Sequence, residues 1–254
     1  MNRIHFMNIE IDNVTTDEAV NLIKKCINDN EKMFVVTPNV DHMVKLQAND
    51  SFLNAYKNAG LVAVDGTPIM VAAKWYGTPL KEKITGPKLT EETVKMAAAN
   101  GFSIFVLGAG PGIGDRAAKQ LLKKYPGFHY VGSYSPPFGF EKRIDERRKI
   151  IDIVNQAKPQ IVITGMGSPK TEVFLNEIYK ELDANVSLSV GAAIDFCAGT
   201  TKRCPHFINA IGMEWFYRFL KEPKRMFKRY FIDDVGFIKL VFKYKGELPR
   251  GDIK

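Results

Sequence analysis

Cysteine is nearly absent from this chain: Cys26, Cys197 and Cys204 are the only three in 254 residues. An odd number without a close pair excludes a disulfide framework and a cysteine-based zinc site, and points to a reducing compartment. No run of about 18 apolar residues occurs, which excludes a helix spanning a bilayer. The first residues, Met-Asn-Arg-Ile-His-Phe, lack the apolar core and cleavage site of a signal peptide, so the cytoplasm is the expected location. His5, His42, His129 and His206 stand isolated, with no His-x-x-x-His and no carboxylate cluster, and are read as non-metal residues. Asp-x-Asp is missing as well. Many enzymes acting on nucleotide diphosphates hold Mg²⁺ or Mn²⁺ through such carboxylates. Without them, Lys, Arg and backbone dipoles must neutralise a diphosphate.

What is present is an ordinary globular composition, 45% hydrophobic and 25% charged, long enough for one large α/β domain or two small ones. Its net charge of +8 is unevenly spread. From Arg218 to Lys245 nine Lys and Arg oppose Glu222, Asp233 and Asp234, a local charge of +6. On a helical wheel, Trp215, Phe216, Phe219, Leu220, Met226, Phe227, Tyr230 and Phe231 fall on one half. Arg218, Lys221, Lys224, Arg225, Lys228 and Arg229 fall on the other, and Pro223 divides the segment into two helices. Three readings of the aromatic face stay open: packing on the body of the protein, contact with a membrane, and an oligomer interface.

Upstream, short β-branched runs alternate with longer helical stretches. Strands are expected at Met33–Thr37, Leu61–Val64, Ser103–Leu107, Tyr130–Val131 (reaching Tyr134), Ile161–Thr164 and Val186–Val190. Helices are expected at Thr16–Asn28, Asp41–Asn58, Lys88–Asn100, Gly114–Tyr125, Arg143–Ala157 and Thr171–Leu182, the first capped within Thr15–Glu18 and the third stopped by Gly101. Such alternation predicts the α/β class: a mainly parallel sheet with helices on both faces. One α/β domain over residues 1–200, followed by a basic-aromatic helical appendage over 201–254, is the economical division.

Each strand ends in small or polar residues: Thr37-Pro-Asn39, Asp65-Gly-Thr-Pro68, Gly108-Ala-Gly-Pro-Gly-Ile-Gly114, Gly165-Met-Gly-Ser-Pro-Lys-Thr-Glu172 and Gly191-Ala-Ala-Ile-Asp195. A parallel sheet brings these turns to one edge, where open α/β sheets bind ligands. Gly108, Gly110 and Gly112 open a helix whose N–H groups and dipole suit a phosphate, or form a tight turn that needs glycine only for its geometry. The run is not the dinucleotide fingerprint, because the third glycine falls on Ile113, and no Gly-rich Lys-Ser/Thr phosphate loop occurs. Asp65 is either a general base at the mouth of a buried strand or the N-cap of a helix starting near Pro68. Thr37 and Asn39 orient a hydroxyl-bearing substrate or serve a turn. Asp195 binds a sugar hydroxyl or caps a helix. Lys170 is placed to meet a diphosphate, while Glu172 complements the helix dipole.

In order, these segments resemble the WecG/TagA/CpsF proteins, glycosyltransferase family 26. The resemblance adds Ile84-Thr-Gly-Pro, Tyr125-Pro-Gly, Arg203-Cys-Pro, Glu214-Trp-Phe-Tyr-Arg through Glu222-Pro, and Arg229-Tyr230. It implies a Rossmann-like core with a C-terminal membrane-associating appendage, and transfer of a sugar from a UDP-sugar to a polyprenyl-diphosphate-linked saccharide at the cytoplasmic membrane face. It further implies an inverting reaction without metal or other cofactor. TagA-like members add N-acetylmannosamine to GlcNAc-diphospho-undecaprenol for teichoic acid; others use N-acetylmannosaminuronic acid or different hexoses. Asp65 matches the proposed base, and Thr37 and Asn39 the pocket beside it. Two positions depart from the pattern. Thr171 stands where Gln is usual, and Lys83, before Thr85 and Gly86, stands where Arg is common, which removes bidentate phosphate geometry but keeps the charge.

The resulting expectation is a single inverting displacement. Asp65 serves as base, and UDP is stabilised by the 108–114 turn, by Lys170, and by Arg203, Arg218, Arg225 and Arg229. Gly165, Gly167, Thr171, Glu172 and Asp195 complete the substrate pocket. Two rivals are a nicotinamide-dependent oxidoreductase, which lacks its fingerprint, and a nucleic-acid binder. The second is disfavoured because the aromatics lie opposite the charges rather than among them. No nucleic-acid partner is therefore expected, and a homo-oligomer stays open.

Overall fold

The computed structural model describes residues 2–200 and 235–247. It begins with an antiparallel hairpin that the strand reading had not included, β1 (Arg3–Phe6) and β2 (Ile9–Asp12). Its alternating apolar positions are only four residues long, too short a signal to separate from a loop. The buried carboxylate of Asp12 joins this hairpin to the main sheet. Asp12 Oδ1 accepts from Arg3 Nε at 3.0 Å, and Oδ2 accepts from Val62 N at 2.8 Å.

The main sheet has six parallel strands: β3 (Met33–Val36), β4 (Leu61–Val62), β5 (Ser103–Gly108), β6 (His129–Tyr134), β7 (Ile161–Gly165) and β8 (Val186–Ser189). Their spatial order is β4-β3-β8-β7-β5-β6, as the α/β expectation requires. Side chains of β3, β5, β7 and β8 alternate between the faces. Val35, Ile104, Val106, Ile161, Ile163, Val186 and Leu188 point to one core, whereas Phe34, Val36, Phe105, Leu107 and Val162 point to the other.

On the first face lie α1 (Thr16–Asn28), α5 (Gly86–Asn100), α6 (Ile113–Lys124) and α9 (Ala193–Cys197). On the second lie α2 (Val40–Lys45), α3 (Asp50–Asn58), α4 (Thr67–Trp75), α7 (Ile144–Ala157) and α8 (Lys170–Ile178). Thr15 and Glu18 form a reciprocal capping box on α1, and Gly101 ends α5 at φ 69°, as their residue types predict. The single helix expected over 41–58 is two, because Asn49 starts a new one by accepting from Phe52 N at 2.9 Å.

The last described helix, α10 (Val235–Glu247), packs on the second face. Phe237 is buried there, Tyr76 Oη donates to Val241 O at 2.9 Å, and Tyr244 Oη donates to Gln47 Oε1 at 3.0 Å. Among the described residues no helix is long and apolar enough to cross a membrane. The basic-aromatic stretch 214–230 lies outside the described residues.

Candidate active site

Parallel strands put all six strand ends on one edge. The connections that follow them diverge: α6 leaves β5 toward the first face, α8 leaves β7 toward the second, and α9 leaves β8 toward the first again. Where neighbouring connections part, a crevice opens above the sheet. It is a cleft of about 510 Å³ over β5, β7 and β8, bounded by Asn39 and His42 at one end and by Phe138 and Phe140 at the other.

Seven of the expected residues line this cleft: Asn39, Gly108, Gly165, Gly167, Lys170, Glu172 and Asp195. Close backbone packing explains two of these glycines. A Cβ on Gly165 would lie 2.3 Å from Gly191 O, and one on Gly108, whose φ is 96°, would lie 2.6 Å from Gly165 O. Gly110 and Gly112 do not line the cleft. Gly112 starts α6 at φ 72°, and two N–H groups of the turn already have partners: Ala109 N donates to Gly165 O and Ile113 N to Gly110 O.

Asp65 does not line the cleft either, but stands beside its Asn39 end. Asp65 N donates to Pro38 O at 2.8 Å, and Gly86 N donates to Asp65 Oδ2 at 3.2 Å. The capping alternative for Asp65 is not realised: α4 starts at Gly66 with no side-chain cap. Thr85 is the cap of α5, its Oγ1 accepting from Lys88 N at 3.3 Å. A Cβ on Gly86 would meet Val190 O at 2.7 Å, so α5 starts against the end of β8. Lys83 Nζ reaches Thr67 Oγ1 at 3.4 Å, at the start of α4.

Thr37 and Asn39 are partly engaged by the fold. Thr37 Oγ1 donates to Ser189 O at 3.3 Å, and Asn39 Oδ1 accepts from His42 N to cap α2. Thr171, expected to contact substrate, turns away from the cleft. Its Oγ1 accepts from Met166 N at 2.9 Å and donates to Gly167 O at 3.1 Å, closing its own loop. Asp195 stays half-buried in α9, with Thr200 Oγ1 donating to its backbone oxygen at 2.9 Å. Arg203, Arg218, Arg225 and Arg229 lie outside the described residues.

Lys170 holds the opposite wall. Its Nζ is 3.3 Å from Glu141 Oε1 and 4.8 Å from the ring centre of Phe138, a side chain 99% exposed at the lip. Glu172, two residues on in α8, is buried toward the Asn39 end. Loss of water raises its carboxyl to about 7 against the hydrogen bond that Ser189 donates to it, so near neutrality it exists in both protonation states. His42 Nδ1 and Tyr56 Oη share a hydrogen bond of 2.7 Å. Burial, then the charges of Glu172, Asp41 and Asp65, push the Tyr56 phenol upward, so these acids ring one buried hydroxyl.

Sequence reading missed His42, Phe138, Phe140 and Ser168 as cleft residues. Pro136-Pro-Phe138 follows a strand end like the five turns singled out, and that position was its available signal. His42 had none. Among the described residues no three His, Cys, Asp or Glu side chains gather as metal ligands.

Over 226 residues the chain is 27% identical to an N-acetylglucosaminyldiphosphoundecaprenol N-acetyl-beta-D-mannosaminyltransferase of Staphylococcus aureus strain MRSA252, covering 88% of this chain and 87% of that protein. A protein of the same name from strain MW2 is 26% identical over the same coverage. The profile of the glycosyl transferase WecG/TagA/CpsF family matches residues 4–251. With nearly its whole length matched, the chain belongs to the WecG/TagA/CpsF family and is a hexosyltransferase.

Proposed function

We propose that the chain transfers N-acetylmannosamine from its UDP derivative to GlcNAc carried on a polyprenyl diphosphate, with inversion and without a metal, in wall teichoic acid synthesis. The observation that carries this reading is the setting of Asp65. A backbone N–H at the start of α5 orients its carboxylate at the sheet edge, next to the turn that sends Asn39 into the cleft. There it takes the proton of the acceptor hydroxyl. The hydroxyl oxygen bonds to the anomeric carbon as the bond from that carbon to the diphosphate breaks, and UDP leaves with the electron pair.

The names of the two staphylococcal proteins support the choice of sugar and acceptor. The lack of Asp-x-Asp supports neutralisation by side chains, with Lys170 on the cleft wall and Arg203, Arg218, Arg225 and Arg229 from the 201–254 appendage. A peripheral position at the inner membrane face follows from the lipid acceptor. Exposed Val71 and Trp75 of α4 and Ile238 and Phe242 of α10, flanked by Lys239 and Lys243, suit an anionic bilayer surface.

The deciding experiment offers purified protein a synthetic prenyl-diphospho-GlcNAc acceptor and a panel of UDP-sugars, with products read by mass spectrometry. UDP-N-acetylmannosamine is expected to give the disaccharide lipid and UDP, at a rate unchanged by EDTA. No product from this donor, with turnover of UDP-N-acetylmannosaminuronic acid or UDP-glucose instead, would reassign the sugar. No product from any donor would reject the reaction.

A further inference from the structure

The reaction scheme leaves one buried acid of the cleft without a task. Glu172, in the first turn of α8, is 3% exposed and yet lines the cleft. Its Oε1 accepts from Ser189 Oγ at 2.9 Å, whereas Oε2 is buried with no hydrogen-bond partner. Ser168 Oγ is a second buried orphan on the same wall. It lies near enough to favour the ionised form of Glu172, but not in bonding geometry. Thr164 Oγ1, beside Ser189 in the β7–β8 ladder, is a third. Buried polar groups are nearly always paired. Two orphans on the cleft wall, Glu172 Oε2 and Ser168 Oγ, with Thr164 Oγ1 behind them in the sheet, mark a place where a ligand completes the bonding.

The surroundings select the ligand group. Lys45 and Asp41 of α2 pair with each other at 2.7 Å, His42 of α2 is bonded to Tyr56 of α3, and Asp65 lies beyond them. Lys170, two residues earlier in α8, is paired with Glu141. Among the described residues the acids Asp41, Asp65 and Glu141 outnumber the cations Lys45 and Lys170 around Glu172, which disfavours a phosphate at this end. A hydroxyl fits: it donates to the carboxylate, accepts from the carboxylic acid, and serves the Ser168 hydroxyl in either case.

We infer that Glu172 and Ser168 bind one hydroxyl of the transferred sugar, which makes Glu172 a specificity-determining residue at the Asp65 end of the cleft. The inference rests on the reading of Asp65 as the base, since the anomeric carbon must lie within reach of the acceptor that Asp65 deprotonates.

Equilibrium titration of the full chain with UDP, UDP-N-acetylmannosamine and its monodeoxy analogues tests it. The wild type is expected to bind one deoxy analogue about tenfold or more weakly than the parent sugar. Glu172→Ala should abolish that ratio while binding UDP as before, with Glu172→Gln intermediate. A merely structural Glu172 would weaken UDP and every analogue together and keep the ratio, which would overturn the inference; so would a wild type that ignores every deoxygenation. If circular dichroism shows Glu172→Ala unfolded, Glu172→Gln and Ser168→Ala give the same ratio. Absence of UDP-N-acetylmannosamine binding by wild type would remove the donor reading and this inference together. Unchanged turnover in Asp65→Asn would remove only the base, and a deoxy ratio still tied to Glu172 would show that failure to be separate.

Discussion

Gly86 N–H donates to Asp65 Oδ2 at 3.2 Å, so the first residue of α5 holds the carboxylate at the end of β4. Asparagine retains an oxygen for this bond but cannot take a proton. Asp65→Asn should therefore lower turnover by about 100- to 10,000-fold. Its circular dichroism and melting temperature should match wild type, and steady-state kinetics beside a thermal melt check both.

Lys170 and Glu141 form a half-exposed pair at 3.3 Å on the cleft wall. A diphosphate arriving there competes with Glu141 for the ammonium. Glu141→Gln should tighten UDP binding about threefold and Lys170→Met should weaken it, both effects shrinking as salt rises, as titration calorimetry would record.

Burial holds the Glu172 carboxyl at about 7 in the folded chain, against an ordinary value of 4.5. Between those values the folded state binds the extra proton. Stability therefore falls as pH rises from about 4.5 to 7, by about 3 kcal/mol in all. Glu172→Gln has no proton to lose. Denaturant melts at pH 5 and pH 8 should show it gaining relative to wild type at the higher pH.

Gly165 ends β7 with its Cα facing Gly191 O, 2.3 Å from where a Cβ would sit. Gly165→Ala forces the two strand ends apart and should cost about 1–3 kcal/mol. Because Gly165 also lines the cleft, UDP affinity should fall with the melting temperature.

Asp12 serves three donors from a fully buried position, Arg3 Nε, Arg3 Nη2 and Val62 N. Asp12→Ala leaves the Val62 N–H unpaired and the guanidinium with only the carbonyls of Ala59 and Gly60. A loss of about 2–4 kcal/mol is expected in urea denaturation, with kcat nearly unchanged in the remaining folded protein.

Much of the sheet was legible in the order of residues. Val, Ile and Phe runs of four to six residues bounded by Gly, Pro and Asn carry a strand signal in themselves, and caps such as Thr15 and Gly101 act within four residues. The hairpin at 3–12 was not legible, because it depends on Asp12 reaching a strand 50 positions away. The break between α2 and α3 was a local signal overlooked, Asn49 before Asp50.

The turns after the strands were recognisable singly, and their gathering at one edge followed from parallel strands, but which of them share a cleft did not. Asp65 and Lys170 read alike as polar residues following buried strands. The fold puts Lys170 in the cleft and Asp65 beside it, against Pro38 and Gly86. Thr171 read as a substrate contact, yet its hydroxyl closes the 166–167 loop.

By itself, then, the sequence determined the α/β class, the parallel sheet and the family, since hydrophobic period, turn chemistry and motif order are properties of neighbouring residues. Tertiary structure alone decided which turns share a cleft and what state its acids adopt. Strand order, β4-β3-β8-β7-β5-β6, brings residues 39, 109, 138 and 170 together, and no local pattern encodes that adjacency. Nor does one encode the burial of Glu172. In water it would be an ordinary carboxylate; packed between α8 and Ser189 it keeps its proton to about pH 7, because the desolvation of a charge is set by everything around it.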